Sequence, residues 1–101
     1  MSKIIYNVTV NVDHDAHDAW LKWMIETHIP EVMQTGLFIE NRFCKVLIDE
    51  EQGITYSIQY MCANMNDYNE YREKHATRLQ LEAKKHFEGR FVAFRTLLQL
   101  V

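Results

Sequence analysis

Hydrophobic and polar residues alternate along two segments of the chain with the period of two that a half-buried β-strand produces. In residues 4–12 an apolar residue occupies every second position, and residues 54–62 repeat the pattern. Residues 37–48 are rich in Phe, Ile, Val and Leu, and residues 90–101 are largely apolar up to the C-terminus. These four segments predict four strands.

The segment between the first two strands carries large side chains at helical steps of three and four. The residues that follow this spacing are Ala16, Trp20, Trp23, Met24 and Thr27. Because Pro30 disfavours the α conformation at Ile29, this first helix is predicted to end near His28. A short helical turn should follow over residues 30–34, and Gly36 in a left-handed conformation should end it.

A second helix is predicted between the third and fourth strands. Asn64 can cap its first turn, and Gly89 can end it. The residues that follow steps of three or four in this helix are Tyr68, Tyr71, Arg72, His75, Leu79, Ala83 and Phe87. Between the second and third strands, residues 49–53 form an acidic loop with a glycine at its end, which predicts a hairpin.

The order β-α-β-β-α-β predicts one ferredoxin-like α+β domain over residues 1–101. Right-handed crossovers place both helices on one face of a four-stranded antiparallel sheet with the strand order 4-1-3-2. The strand faces predicted to lie under the helices are Tyr6, Val8 and Val10 together with Tyr56, Ile58 and Tyr60.

The other face of this sheet is predicted to be polar in its centre and apolar at its flanks. The outer strands contribute Phe43 and Leu47 on one side, and either the set Phe91, Arg95 and Leu97 or the set Phe94, Leu98 and Leu100 on the other. One interpretation is a solvated sheet. The interpretation we favour is a homodimer in which two sheets meet face to face, as in a dimeric α/β barrel, because a solvated face need not carry several large apolar residues.

Charge and composition exclude several classes of protein. The net charge is −3, so no general attraction to nucleic acid or to anionic membranes is expected. No apolar run reaches the length of a transmembrane helix. Residues 1–3 lead directly into an alternating segment and lack the apolar stretch of a signal peptide, so we expect a cytoplasmic protein.

The two cysteines, Cys44 and Cys62, form no CxxC motif and are predicted to be buried on the helix-facing side of their strands. Near the start of the first helix, His14 and His17 lie among aspartates and resemble a loose metal cluster. The spacing of a metal-binding motif is absent, however, and aspartates at this position are explained by helix capping. We therefore predict no metal and no cofactor.

The side chains best suited to chemistry are expected near the predicted end of the first helix. His28 titrates in the range that suits acid–base chemistry, although it could simply hydrogen-bond the last carbonyl groups of the helix. If the hairpin pairs Ile48 with Ile54, then Arg42 faces Tyr60 beneath the helices. Such an arginine could hold a carboxylate or phenolate, or it could reach solvent and pair with an acidic residue.

Five residues therefore define a candidate ligand site between the helices and the sheet. Arg42 would hold an anion, His28 could move a proton, and Tyr60 would neighbour Arg42. Trp20 and Met24 would provide apolar walls, although helical spacing also explains both as core residues. The site should take a flat, weakly acidic organic molecule.

Several strings in the chain are specific enough to suggest a family: residues 4–12, 20–24, 28–32, 35–38, 53–57 and 89–98. Together they resemble a short bacterial family catalogued as a domain of unknown function, and the resemblance covers essentially the whole chain. It implies a ferredoxin-like fold and brings no assigned activity.

More distantly, a helix ending in His28-x-Pro30 before a glycine resembles the small dimeric α/β-barrel proteins. This group includes antibiotic-biosynthesis monooxygenases, ethyl-tert-butyl-ether-degradation-type proteins and muconolactone-isomerase-like enzymes. The resemblance implies a pocket between sheet and helices that cofactor-free members use on aromatic or polyketide-like substrates. Two hypotheses follow: a small-molecule-binding or structural module without chemistry of its own, or a cofactor-independent monooxygenase or isomerase.

Overall fold

A computed structural model describes residues 2–48 and 52–101 of the protein. These residues form a four-stranded antiparallel sheet with two helices. The strands are β1 (Ile4–Val12), β2 (Glu40–Lys45), β3 (Ile54–Cys62) and β4 (Phe91–Gln99). Their order across the sheet is β2-β3-β1-β4, which is the predicted order read from the other edge. The predicted ferredoxin-like arrangement is therefore confirmed.

The first helix runs over residues 14–34 and does not end near His28, so that prediction is wrong. It consists of a 3₁₀ turn (His14–Ala16), an α-helical segment (His17–Trp23), a π turn (Met24–His28) and a second α-helical segment (Ile29–Gln34). Ile29 keeps helical dihedrals, and its N–H donates to the Met24 carbonyl five residues back. Because the wider π turn relieves the clash that Pro30 would cause in a regular helix, the chain continues through the proline.

The second helix runs over residues 65–86 and begins as predicted. The Asn64 side chain accepts a hydrogen bond of 2.9 Å from the backbone N–H of Asp67. The helix has α-helical segments at Met65–Tyr71 and Thr77–His86, joined by a π turn at Arg72–Ala76. Gly89 then adopts a left-handed conformation, with φ of 74°. No helix in the described part of the chain has the length and apolar character needed to cross a membrane.

The predicted hairpin loop lies partly outside the described residues, since Asp49, Glu50 and Glu51 are not among them. Gly53 at its end has φ of 85°, as the prediction of a left-handed glycine requires. A Cβ atom at Gly53 would lie 2.5 Å from both the Asn11 Oδ1 and the Val12 carbonyl oxygen. Glycine is therefore required here by both the backbone conformation and the close approach of β1.

The hydrophobic core lies between the helices and the sheet face that the strand alternation predicted. Tyr6 pairs with Tyr60, and Val10 pairs with Tyr56, and all four side chains are buried. The helices contribute a further set of fully buried side chains: Trp20, Val32 and Leu79. The core is therefore rich in aromatic rings, whose hydroxyl groups bring polar atoms into an otherwise apolar interior.

The register of β2 differs by one residue from the prediction. Lys45, and not Val46, pairs with Tyr56, and Phe43 pairs with Ile58. Phe43 therefore faces the helices, with its ring centroid 5.9 Å from that of Trp20, and its expected place on the open face is wrong. A shift of one residue moves every side chain to the opposite face, so the register that packs Phe43 against the core turns its neighbours Arg42 and Cys44 to the open face.

This register corrects one of the two predictions about cysteines. Cys44 pairs with Ser57 on the open face and is exposed in the protomer, whereas Cys62 is fully buried as predicted. Burial raises the pKa of the Cys62 thiol to about 11. Since the thiolate is the reactive species, Cys62 should be unreactive in the folded protein.

We expect the Cys62 thiol in a Cys44→Ser variant to react with a thiol reagent on the order of a hundredfold more slowly than free cysteine at about pH 8, because so little thiolate is present. Stopped-flow absorbance with a disulfide reagent measures the rate, and unfolding in denaturant should restore it. Rapid labelling of the folded variant would contradict the assigned facing of β3.

Strand β4 presents two different sets of residues on its two faces. Arg95 pairs with Val8 and lies on the helix side, whereas Phe94 pairs with Thr9 and lies on the open side. Of the two sets considered for the open face, the one containing Phe94 and Leu98 is therefore present there. Leu47, which was expected on that face, lies beyond the end of β2 and is almost fully exposed.

Candidate functional site

A cavity lies between the two helices and the covered face of the sheet. It leaves about 50 Å³ free for a water-sized molecule, enough for a few waters or one small compact group. Most of its lining is aliphatic or aromatic. The polar atoms come from His28 on the first helix, Gln80 on the second, Arg95 on β4 and three tyrosines: Tyr6, Tyr60 and Tyr71.

Four of the five residues predicted to form the site line this cavity. His28, Trp20 and Met24 reach it from the first helix, and Tyr60 reaches it from β3. The π turn that contains Met24 and His28 packs against the core here, and π turns often occur at functional sites. The structure thus brings these four residues together, while their roles remain predictions.

The predicted placement of Arg42 is wrong. Arg42 pairs with Gln59, not with Tyr60, and it lies on the open face of the sheet beside Glu40 and Met61. The physical reason is the one-residue shift in the register of β2, which packs the Phe43 ring against the core and turns Arg42 to the open face. Arg42 cannot reach the cavity from this side of the sheet.

Arg95 is the arginine that lines the cavity. Its Nε donates a hydrogen bond of 3.0 Å to the Tyr6 hydroxyl. The side chain is otherwise exposed, so Arg95 lies where the cavity meets solvent. Alternation along β4 placed Arg95 in one of two possible sets, and only the pairing of Arg95 with Val8 decides between them.

His28 has an unusual environment for a histidine. Its ring stacks on Trp23 with centroids 4.8 Å apart, and its buried Nδ1 has no hydrogen-bond partner among the residues described. Burial lowers the pKa of His28 to about 4; the charge of Arg95 lowers it further, and that of Glu82 opposes the shift. The imidazole is therefore neutral near pH 7, and its buried Nδ1 keeps an unused capacity for a hydrogen bond.

Three other tyrosine rings surround the ring of Tyr6. The Tyr6 centroid lies 6.0 Å from that of Tyr60, 5.7 Å from that of Tyr71 and 5.5 Å from that of Tyr68. Burial raises the pKa of Tyr60, Tyr71 and Tyr68 above its usual value. These phenols stay protonated and can act as hydrogen-bond donors and acceptors, but not as bases.

The histidine and aspartate group near the start of the first helix serves other contacts. Arg90 forms ion pairs with Asp13 (3.2 Å) and with Asp15. His17 Nε2 lies 2.6 Å from the Tyr56 hydroxyl, a hydrogen bond that joins the helix to β3. Within residues 2–48 and 52–101, no three histidine, cysteine or carboxylate side chains are grouped as a metal ion requires.

The sheet order and the two packed helices define a ferredoxin-like α+β fold. The chain belongs to the family described as Domain of unknown function (DUF4286), which matches residues 3–101. The family resemblance seen in the sequence is therefore confirmed. No curated protein sequence matches the chain.

Solved structures of low sequence identity share this fold. SnoaB, a cofactor-independent oxygenase from Streptomyces nogalater, superposes with a TM-score of 0.67 at 9% identity, covering 100% of this chain and 95% of that one. An ethyl tert-butyl ether D (EthD) family protein from Bacillus halodurans gives 0.68 at 7% identity, covering 92% and 96%. A dimeric ferredoxin-like protein of unknown function from Thermobifida fusca gives 0.63 at 11% identity, covering 96% and 92%. These similarities establish the fold.

Proposed function

We propose that the protein binds a small organic molecule in the cavity between its helices and its sheet. The observation that carries the proposal is an apolar cavity lined by His28, whose buried Nδ1 has no hydrogen-bond partner, together with Arg95 and three tyrosines. A largely apolar cavity with a few convergent polar groups is the usual form of a small-molecule site. An orphaned buried polar atom is also costly, so a ligand that hydrogen-bonds it would remove that cost.

The lining selects a class of ligand. Aromatic and aliphatic walls favour a flat ring. The free space of about 50 Å³ is smaller than the roughly 150 Å³ of a cavity that holds benzene, so a ring enters only when lining side chains move. Arg95 takes over the role first proposed for Arg42, since a guanidinium at the mouth can hold a carboxylate or phenolate. His28 and the tyrosine hydroxyls would hydrogen-bond the inner end of the ligand. The ligand is therefore a small, weakly acidic ring compound.

Binding without chemistry is the form of this function that we favour. An imidazole whose pKa is about 4 is a weak base, and general bases work best when their pKa lies near the operating pH. The second candidate is a cofactor-independent oxygenase or isomerase, and the free Nδ1 of His28 favours it as a proton acceptor. Its other support is the analogy with SnoaB, a protein of the same fold described as a cofactor-independent oxygenase.

We further propose that the protein is a homodimer in which two open sheet faces meet. Val92 and Phe94 on β4 are about two-thirds exposed in the protomer, and Leu98 extends the same apolar row. The centre of the face is a hydrogen-bonded polar group in which the Ser57 hydroxyl donates to Asn7 over 2.6 Å. A protein of the same fold from Thermobifida fusca is described as dimeric.

We also place the protein in the cytoplasm, where its two cysteines, both unpaired in the structure, would stay reduced.

Three single-ring probes test the binding proposal: phenol, benzoate and benzylamine, titrated by NMR with chemical-shift mapping. Benzoate and phenol should shift the signals of the cavity-lining residues, and benzylamine should not. Arg95→Met should weaken benzoate binding about tenfold by removing its charged partner. Arg42→Met is the matched control and should leave binding unchanged, because Arg42 lies on the other face of the sheet.

Two results would overturn this proposal. One is that none of the three rings binds at millimolar concentration. The other is that Arg42→Met removes binding while Arg95→Met retains it. Catalysis is tested separately, by following the exchange of the α-hydrogens of cyclohexanone in D₂O. A faster exchange that is lost in His28→Asn favours an isomerase-type enzyme. An exchange rate that the protein does not change favours the binding module.

A further inference from the structure

A recess outside the cavity extends it toward solvent between the second helix and β4. The recess is lined by Gln80, Lys84, Gly89, Phe91, Ala93 and Arg95. Four of these residues, Gln80, Phe91, Ala93 and Arg95, also line the cavity. The recess offers about 300 Å³, several times the space inside the cavity. A ligand whose ring lies in the cavity would therefore project its outer end into this recess.

Two cationic residues, Lys84 and Arg95, line the recess, and no carboxylate is among its lining residues. Neither Lys84 nor Arg95 forms an ion pair with any carboxylate in residues 2–48 and 52–101. Glu88, four residues beyond Lys84 in the chain, is among the carboxylates that pair with neither cation. The Nε of Arg95 donates a hydrogen bond to the Tyr6 hydroxyl. This bond holds the guanidinium at the boundary between cavity and recess. Two positive charges in one pocket match a group with two negative charges.

Stabilisation of the helix end, without any ligand, also explains the position of Lys84. Lys84, Lys85 and His86 form the last turn of the second helix, where cations offset the partial negative charge of the helix terminus. Lys85 shares that role equally, but Lys85 does not line the recess. The two lysines therefore distinguish a ligand site from a helix cap.

We propose that the recess is an anion subsite in which Lys84 and Arg95 hold a dianionic group, such as a phosphate ester, on a ligand whose ring lies in the cavity. The proposal rests on the proposed function, because it assigns the outer end of the same ligand. It narrows the ligand class from weak ring acids to ring compounds that carry a phosphate or an equivalent dianion.

Calorimetric or NMR titration with phenyl phosphate, phenol and inorganic phosphate tests the subsite. Phenyl phosphate should bind the wild-type protein at least about tenfold more tightly than phenol, and this advantage should fall as salt is raised. Lys84→Met should remove about tenfold of the phenyl phosphate affinity and leave phenol binding unchanged. Lys85→Met is the matched control and should change neither affinity.

The outcomes separate the subsite from the proposed function. If phenol binds in the cavity but phenyl phosphate binds no more tightly, or if the two lysine variants behave alike, the subsite is overturned and the cavity site stands. If inorganic phosphate binds as tightly as phenyl phosphate, the recess is not an extension of the cavity and the proposal fails. If neither ring compound binds, the proposed function itself is overturned together with the subsite.

Discussion

Replacing Phe94 by aspartate should convert the protein from a dimer of twice 12.1 kDa to a monomer. Phe94 pairs with Thr9 in the apolar row of the open sheet face and is 64% exposed in the protomer. A protomer can therefore accept aspartate at this position without losing core packing. A sheet-to-sheet dimer would have to bury two carboxylates without partners, at a cost of about 3–5 kcal/mol each. The dissociation constant should rise by roughly a thousandfold or more.

Sedimentation or light scattering at micromolar concentration measures the change, and circular dichroism checks that Phe94→Asp keeps the protomer fold. Leu81→Asp is the matched control, because Leu81 is similarly exposed but lies on the second helix, away from the open face. We expect that control to remain a dimer. A monomeric wild-type protein, or a Phe94→Asp variant that dimerises as the wild type does, would contradict the sheet-to-sheet arrangement.

Stability should fall as the pH is lowered below about 6.5, and His28 should account for about 2 kcal/mol of the loss by pH 5. The pKa of His28 is lowered from 6.5 to about 4 in the folded protein. The unfolded chain therefore binds the proton more readily than the folded chain between these two values. The sign follows directly: the stabilisation is fully present above pH 6.5 and is lost progressively as the pH falls toward 4.

Urea unfolding of the wild-type protein and of His28→Asn at about pH 7.5 and pH 5 checks this prediction. Burial and hydrogen bonding to Glu82 raise the pKa of Glu31, which gives a contribution of opposite sign. Because both proteins contain Glu31, the difference between their pH slopes isolates His28. The variant should lose about 2 kcal/mol less than the wild type over this range. Equal slopes would show that the imidazole titrates normally and would remove the argument for a neutral His28 in the cavity.

The sequence predicted the elements whose cause is local. The period of two in residues 4–12 and 54–62 gave β1 and β3 with the correct buried faces, because alternation depends only on the pleat of each strand. The cap at Asn64 and the left-handed glycine at Gly36 were also predicted correctly, since each depends on a few neighbouring residues. The family resemblance agreed with these elements.

The first helix shows where a local rule was outweighed. Pro30 predicts a helix end, yet the helix continues through it because Met24–His28 widen into a π turn. Met24 and Ile29 are buried on either side of this turn. Packing of these apolar side chains on the sheet thus holds the helix together where the proline alone would end it.

Sequence alone therefore determined the order of elements, the covered face of the sheet and four of the cavity residues. Tertiary structure decided which arginine joins them. Arg42 and Arg95 both lie on outer strands, and their facing depends on how each strand aligns with its neighbour, not on their own sequence. In β2 that alignment is fixed by packing Phe43 against Trp20, and in β4 by the pairing with β1. Such contacts join residues far apart in the chain, and a shift of one residue exchanges the two faces.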